Sequence, residues 1–341
     1  MTRNRRSLAL LAGLALPLVA GGGPLRAGSA TTDRGVYEYV IEGAPGAFAT
    51  AASAVEAALN HEGWELLAKV EAGPPQNCRF QARVFAVVDR AYAQDLMAVN
   101  RKTAPFAVVD RVNVFEDEAG IHVAVVNAES INRTVLMDDA ALAPVSHAHL
   151  EALRALVAGA LPGKPSGREY GEKRSRGYIG KTMGVMAGGP FADKVKDEAV
   201  VKGGDLKAVA AKVRQGLERS GAKWGLHVVY ELDLPEQETV IFGSTGTPMD
   251  SKSFGIVGAG GDDRRGSYQC PGLAHAGAYP LEVVVTREDG CVRVRLVDVM
   301  YRMKMYFEDA GKWAFMKNMG MPGSIHDELV AQIQTALALP R

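Results

Sequence analysis

Phe48-Ala-Thr-Ala-Ala52-Ser-Ala-Val55-Glu-Ala-Ala-Leu59-Asn-His-Glu-Gly63-Trp64 and Leu206-Lys-Ala-Val209-Ala-Ala-Lys-Val213-Arg-Gln-Gly-Leu217-Glu-Arg-Ser-Gly221, with Trp224 three residues on, decide the fold. In the first stretch Phe48, Ala52, Val55 and Leu59 fall on one helical face, and Gly63 is a helix stop. In the second, Leu206, Val209, Val213 and Leu217 do the same, and Gly221 is the stop. A strand-like run precedes each helix: Val36 to Ile41, and Lys194 to Val201. Another follows each tryptophan: Trp64, Leu66 and Leu67, then Trp224, Leu226, Val228 and Val229. The two signatures lie about 160 residues apart.

The parallel continues downstream. Val112 to Phe115, a turn at Glu116 to Gly120, and Ile121 to Val126 predict a hairpin, as do Leu281 to Thr286, Arg287 to Gly290, and Cys291 to Val297. Both halves close on a helix, lined by Leu150, Leu153, Val157 and Leu161 in the first and by Leu329, Ile333 and Leu337 in the second. Ser324 is the expected cap of the latter, with Asp327 and Glu328 in its first turn. The period is too long for a solenoid and points to duplicated domains.

This order resembles the DUF302 family, whose fold is called TT1751-like. The matching stretches are the helix from Phe48 to Gly63, the strand Arg83 to Val88 with the helix Tyr92 to Ala98, and the hairpin from Val112 to Val126. In the second half, Tyr279-Pro280-Leu281-Glu282-Val283-Val284-Val285 looks like the family's Pro-led strand; the first half has Asp110-Arg111-Val112 there. The resemblance implies two tandem α+β sandwich domains. They would occupy residues 31–162 and 193–341, with a linker at 163–192 and an insertion at 244–277. It also implies that the two copies pack as a pseudo-dimer. These are fold motifs and carry no functional residue.

The N-terminus reads differently. Arg3, Arg5 and Arg6 precede an apolar run from Leu8 to Ala20, and Gly28-Ser29-Ala30 offers a small-residue cleavage site: the grammar of a signal peptide over residues 1–30. Arg5-Arg6-Ser7-Leu8 partly matches a twin-arginine signal, so export by the Sec or the twin-arginine route leads to a periplasmic or secreted protein. The apolar run is short for a membrane span, and no later segment offers one. Basic and acidic residues number 39 each, and removing residues 1–30 takes away four arginines, leaving 35 against 39. A mildly acidic chain of this kind is not expected to bind nucleic acid.

Three cysteines, Cys78, Cys270 and Cys291, allow one disulfide in an oxidising compartment. Cys270 and Cys291 share a half and form the expected pair; three reduced, buried thiols are the alternative. Cys270 and His275 lie in the Gly-rich insertion, where function often resides. They are candidate metal ligands or a thiol–base pair, and their spacing matches no zinc pattern. His147-Ala148-His149 reads as a solvated helix start. Arg264-Arg265 beside Asp262-Asp263 reads as a self-compensated loop.

Methionine is the more unusual signal. Six of 12 crowd the C-terminal region, in Met300-Tyr-Arg-Met303-Lys-Met305 and Met316-Lys-Asn-Met319-Gly-Met321. Thioethers are soft and need no proton loss, which suits Cu(I) outside the cytoplasm. Met303, Met305, Met316, Met319 and Met321, helped by Cys270 and His275, are the candidate metal ligands. Core packing is the competing role for the methionines. Copper is the cofactor to test first and non-covalent haem the second; no CxxCH exists for covalent attachment. No phosphate-binding loop, HExxH or Ser-His-Asp order appears. The expected function is an exported binding or accessory protein. The alternatives are a redox protein or enzyme using the Cys270/His275 loop and a structural partner of an envelope complex.

Overall fold

The computed structural model describes residues 32–137, 139–176, 188–219 and 222–338. The expected signal peptide over residues 1–30, the expected helix stop Gly221, and residues 177–187 of the expected linker lie outside them.

The first half runs β1 (Arg34–Ala44), α1 (Phe48–Leu59), β2 (Trp64–Glu71), β3 (Ala82–Asp89), α2 (Arg90–Val99), β4 (Asp110–Asp117), β5 (Gly120–Val126), α3 (Ala128–Val135) and α4 (Ala143–Ala158). Two strands follow, β6 (Lys164–Pro165) and β7 (Glu169–Arg174). The second half runs α5 (Phe191–Lys194), β8 (Val195–Lys202), α6 (Leu206–Glu218), β9 (His227–Leu234), β10 (Thr239–Thr245), α7 (Thr247–Val257), β11 (Leu281–Glu288), β12 (Cys291–Val297), α8 (Val299–Phe307), α9 (Lys312–Lys317) and α10 (Gly320–Leu337).

The strands form two antiparallel sheets, β2-β3-β4-β5-β1-β6, with β7 also on β1, and β9-β10-β11-β12-β8. The path of the second sheet reproduces the first five strands of the first, and helices fall at corresponding points. Short polar caps start several of them. Asp89 accepts from the Ala91 and Tyr92 amides, Asp205 from Ala208, and Asn127 and Asp298 hold the turns after the two hairpins.

Alternation sorts the first sheet. Phe85, Val87, Val112, Val114, Val123 and Val125 face α1 and α4. Tyr37, Tyr39, Ala86, Phe115, Ala124 and Val126 join a larger core that runs continuously into the second half. There α6 and α10 pack together across the second sheet.

Several expectations change. The 163–192 stretch is more than a linker: β6 and β7 extend the first sheet by pairing with β1, and Tyr170 is buried. Trp224 precedes its strand instead of opening it. Ser324 lies inside α10, where its Oγ accepts from Trp224 Nε1 at 3.1 Å. Residues 244–277 include α7, at the chain position α2 occupies in the first half, so what lacks a counterpart begins after Val257.

The cysteine pairing is corrected: Cys78 is bonded to Cys270, and Cys291 is free. Cys291 opens β12 opposite Lys202 and Glu288, on the sheet, while Cys270 lies in the loop that reaches the first half. Sharing a half therefore does not bring the two together.

His149 is not solvated. It is 5% exposed, stacked on Tyr92 and Trp64, with Nε2 2.7 Å from Asp110 Oδ2. Burial alone would push its pKa down, but the Asp110 charge and hydrogen bond, with Asp89 beyond, raise it overall. A pKa raised in the folded state contributes stability that is complete below the unfolded value of about 6.5 and is lost as pH rises through the folded value. Replacing His149 by Gln is expected to cost about 1–3 kcal/mol at mildly acid pH, where it leaves Asp110 buried beside a neutral group. The gap to wild type should narrow as pH rises. Urea denaturation across a pH series checks this, and a gap that widens with pH contradicts it.

Candidate functional site

Helix α8 decides where the methionines go. Positions four apart share a helical face, and positions two apart differ by about 200°. Met303 and Phe307 thus face one way, and Arg302 and Tyr306 another. Met305 stands on the side opposite Met303. Because residues 299–307 form continuous helix, Met303 and Met305 do not converge on one ion.

Met303 and Phe307 face a narrow apolar cleft, open in part to solvent. Ile256 and Val257 of α7, Ala310 just after α8, Phe315 of α9, and Met321 and Pro322 of α10 complete its apolar walls; Ser253 and Asn318 are its two polar residues. Met303 and Met321 are therefore brought together. Met305 is buried in the core, and Met316 and Met319 are exposed on and after α9.

The two helpers proposed for a metal are placed elsewhere. The Cys270 sulfur is occupied by Cys78, so it is neither a thiolate ligand nor a free nucleophile. His275 is 1% exposed, with Nε2 3.0 Å from Asp309 Oδ2 and the rings of Tyr37 and Tyr170 set edge-on to it. Burial pushes the Asp309 carboxyl up, but His275 and the Gly261 amide outweigh it and hold the pKa below the usual value. Gly260 is required here. Its φ is +56°, and a Cβ would stand 2.2 Å from Asp309 Oδ2. The pair pins the Gly-rich loop to the end of α8 in a place closed to solutes. Among the described residues, no group of three or more His, Cys, Asp or Glu is arranged to hold a metal ion.

A second polar cluster joins the halves. Glu282 of β11 pairs with Arg111 of β4 and Arg302 of α8, and Arg111 also donates to the Tyr306 hydroxyl. Arg111 and Glu282 each sit second in their strand, so the pair joins corresponding places in the two sheets. The loop 262–265 is not self-compensated either. Arg265 Nε donates to Asp117 Oδ2 at 2.9 Å, and Arg168 Nη1 to Asp262 Oδ2 at 2.8 Å.

Sequence reasoning missed Asp309, Phe307, Phe315 and the α7 wall. The spacing of Met303 and Phe307 on one helix was the available signal for a shared face. The contribution of α7 depends on tertiary packing.

No protein-family model and no curated protein matches the chain. Among solved structures, it is similar to an uncharacterized conserved protein, DUF302, from Bacillus stearothermophilus. The match is 13% identical, covers 36% of this chain and 95% of that one, and has a TM-score of 0.32. That likeness carries no argument about function.

Proposed function

We propose that this chain is an exported binding protein, built from two copies of one α+β fold, that holds a small apolar ligand in the pocket between α7, α8, α9 and α10. The observation that carries the reading is the pocket wall: eight of its ten residues are apolar. A concave apolar site with a few polar groups is the usual form of a small-molecule site. The matching strand paths support duplication, and the Cys78–Cys270 bond supports an oxidising compartment. No helix among the described residues is long and apolar enough to cross a membrane.

Titration with the apolar fluorophore N-phenyl-1-naphthylamine tests the reading. One saturable site is expected, with affinity reduced roughly tenfold or more when Ala310→Trp fills the pocket. Equal affinity in the two proteins would place binding elsewhere.

A soft-metal role has one specific support: two thioethers, Met303 and Met321, line the same pocket, beside the helix that carries Met316. A third sulfur would have to come from movement of α9. Cu(I) titration against a chelator, for wild type and Met303→Leu/Met321→Leu, distinguishes the two ligand classes at one site. Thioether binding should persist at mildly acid pH.

A further inference from the structure

The roof of the pocket has an outer face that the pocket does not use. Phe315 of α9 points inward, while Trp313 is 77% exposed, Met316 56% and Met319 38%. Trp313 and Met316 stand three apart on the helix, and Met319 follows where α10 begins. Together they form one apolar stripe on the protein's exterior. The largest apolar side chain in the repertoire is not usually left this bare beside two others.

Charge selects the occupant. Lys312 and Lys317 flank the stripe, both are exposed, and neither makes an ion pair among the described residues. The nearest acids upstream are already engaged, Glu308 with Lys304 and Asp309 with His275. Residues 31–341 carry 35 basic and 39 acidic groups, so this is a local cationic patch on an acidic protein. A second copy of the chain docked about a two-fold axis would bring these lysines against their own equivalents, which repel. An apolar stripe with a tryptophan and lysines on its borders instead fits the boundary of an anionic bilayer. The indole and thioethers would enter the acyl edge while the ammonium groups stay at the headgroups.

We infer that α9 is a peripheral docking element for anionic lipid surfaces. The inference does not rest on ligand binding in the pocket beneath, because Trp313, Met316 and Met319 do not line it.

Co-sedimentation of the mature protein with vesicles of phosphatidylcholine, alone or mixed with phosphatidylglycerol, tests it. Binding is expected to the mixed vesicles at low salt, weakening as salt rises. Trp313→Ser/Met316→Ser should reduce the bound fraction's partition coefficient by about tenfold, and Lys312→Glu/Lys317→Glu by about as much. These are surface positions, and fluorophore binding in the pocket should be unchanged in both variants. Circular dichroism and an unchanged thermal midpoint confirm that both variants are folded, whether or not the pocket binds the fluorophore. Absence of binding to phosphatidylglycerol vesicles at low salt overturns the inference. So does equal binding by wild type and the Trp313 variant, or a self-association that the variants abolish without any lipid binding.

Discussion

Serine at Cys78 or Cys270 is expected to lower stability by roughly 2–5 kcal/mol, among the largest effects of any single replacement in the chain. The bond closes a separation of 192 residues, and in the loop-entropy view long closures restrict the unfolded chain most. It also ties the segment between β2 and β3 to the loop before β11, next to the contact of the Gly73 amide with Asp250. In thermal denaturation the midpoint should fall by roughly 3–10 °C. Reductant should move wild type by a similar amount and leave the Cys78→Ser/Cys270→Ser protein unmoved. Cys291→Ser should have little effect. If Cys291→Ser destabilises as much as Cys270→Ser, the pairing is wrong.

The second large effect is expected at Glu282. It lies buried between Arg111 and Arg302. Burial pushes its pKa up, but the two guanidinium groups prevail and hold it below the usual carboxylate range. Glu282→Gln leaves two buried cations facing a neutral amide, and breaking a buried pair from one side costs about 3–5 kcal/mol. Arg111→Met should cost less, about 1–3 kcal/mol, because Glu282 keeps Arg302. A carboxyl with a depressed folded pKa contributes stability that is present above its unfolded pKa of about 4.3 and is lost as pH falls through the folded value. Glu282→Gln should therefore flatten the acid limb of the stability profile. Chemical denaturation of both variants between neutral and acid pH checks the order, and Arg111→Met costing more than Glu282→Gln contradicts it.

Local pattern was legible in the sequence. The helices at Phe48–Leu59 and Leu206–Glu218 and the two hairpins follow from spacings of 3.6 and 2 and from turn residues, all set within a dozen neighbours. Three features were not. In β7, Tyr170 and Arg174 are buried within a polar run, so it shows little apolar alternation, and its place on β1 comes from the sheet edge it meets. His149 is buried because Asp110, 39 residues earlier, neutralises it, and a helix pattern cannot display that partner. The crowding of methionines suggested convergence, but a continuous helix points Met303 and Met305 apart. The pocket was half visible, as Met303 and Met321 were both singled out. Its walls Ile256 and Val257 come from a separate helix, α7.

The central claim is that the space between α7, α8, α9 and α10 is the binding site, and methyl resonances of isotopically labelled methionine test it most directly. On titration with N-phenyl-1-naphthylamine, the Met303 and Met321 signals are expected to move together and saturate at one ligand per chain. Met97, in the core of the first half, should remain still. Saturable shifts confined to methionines outside the pocket, or no saturable shift at Met303 and Met321, would contradict the account.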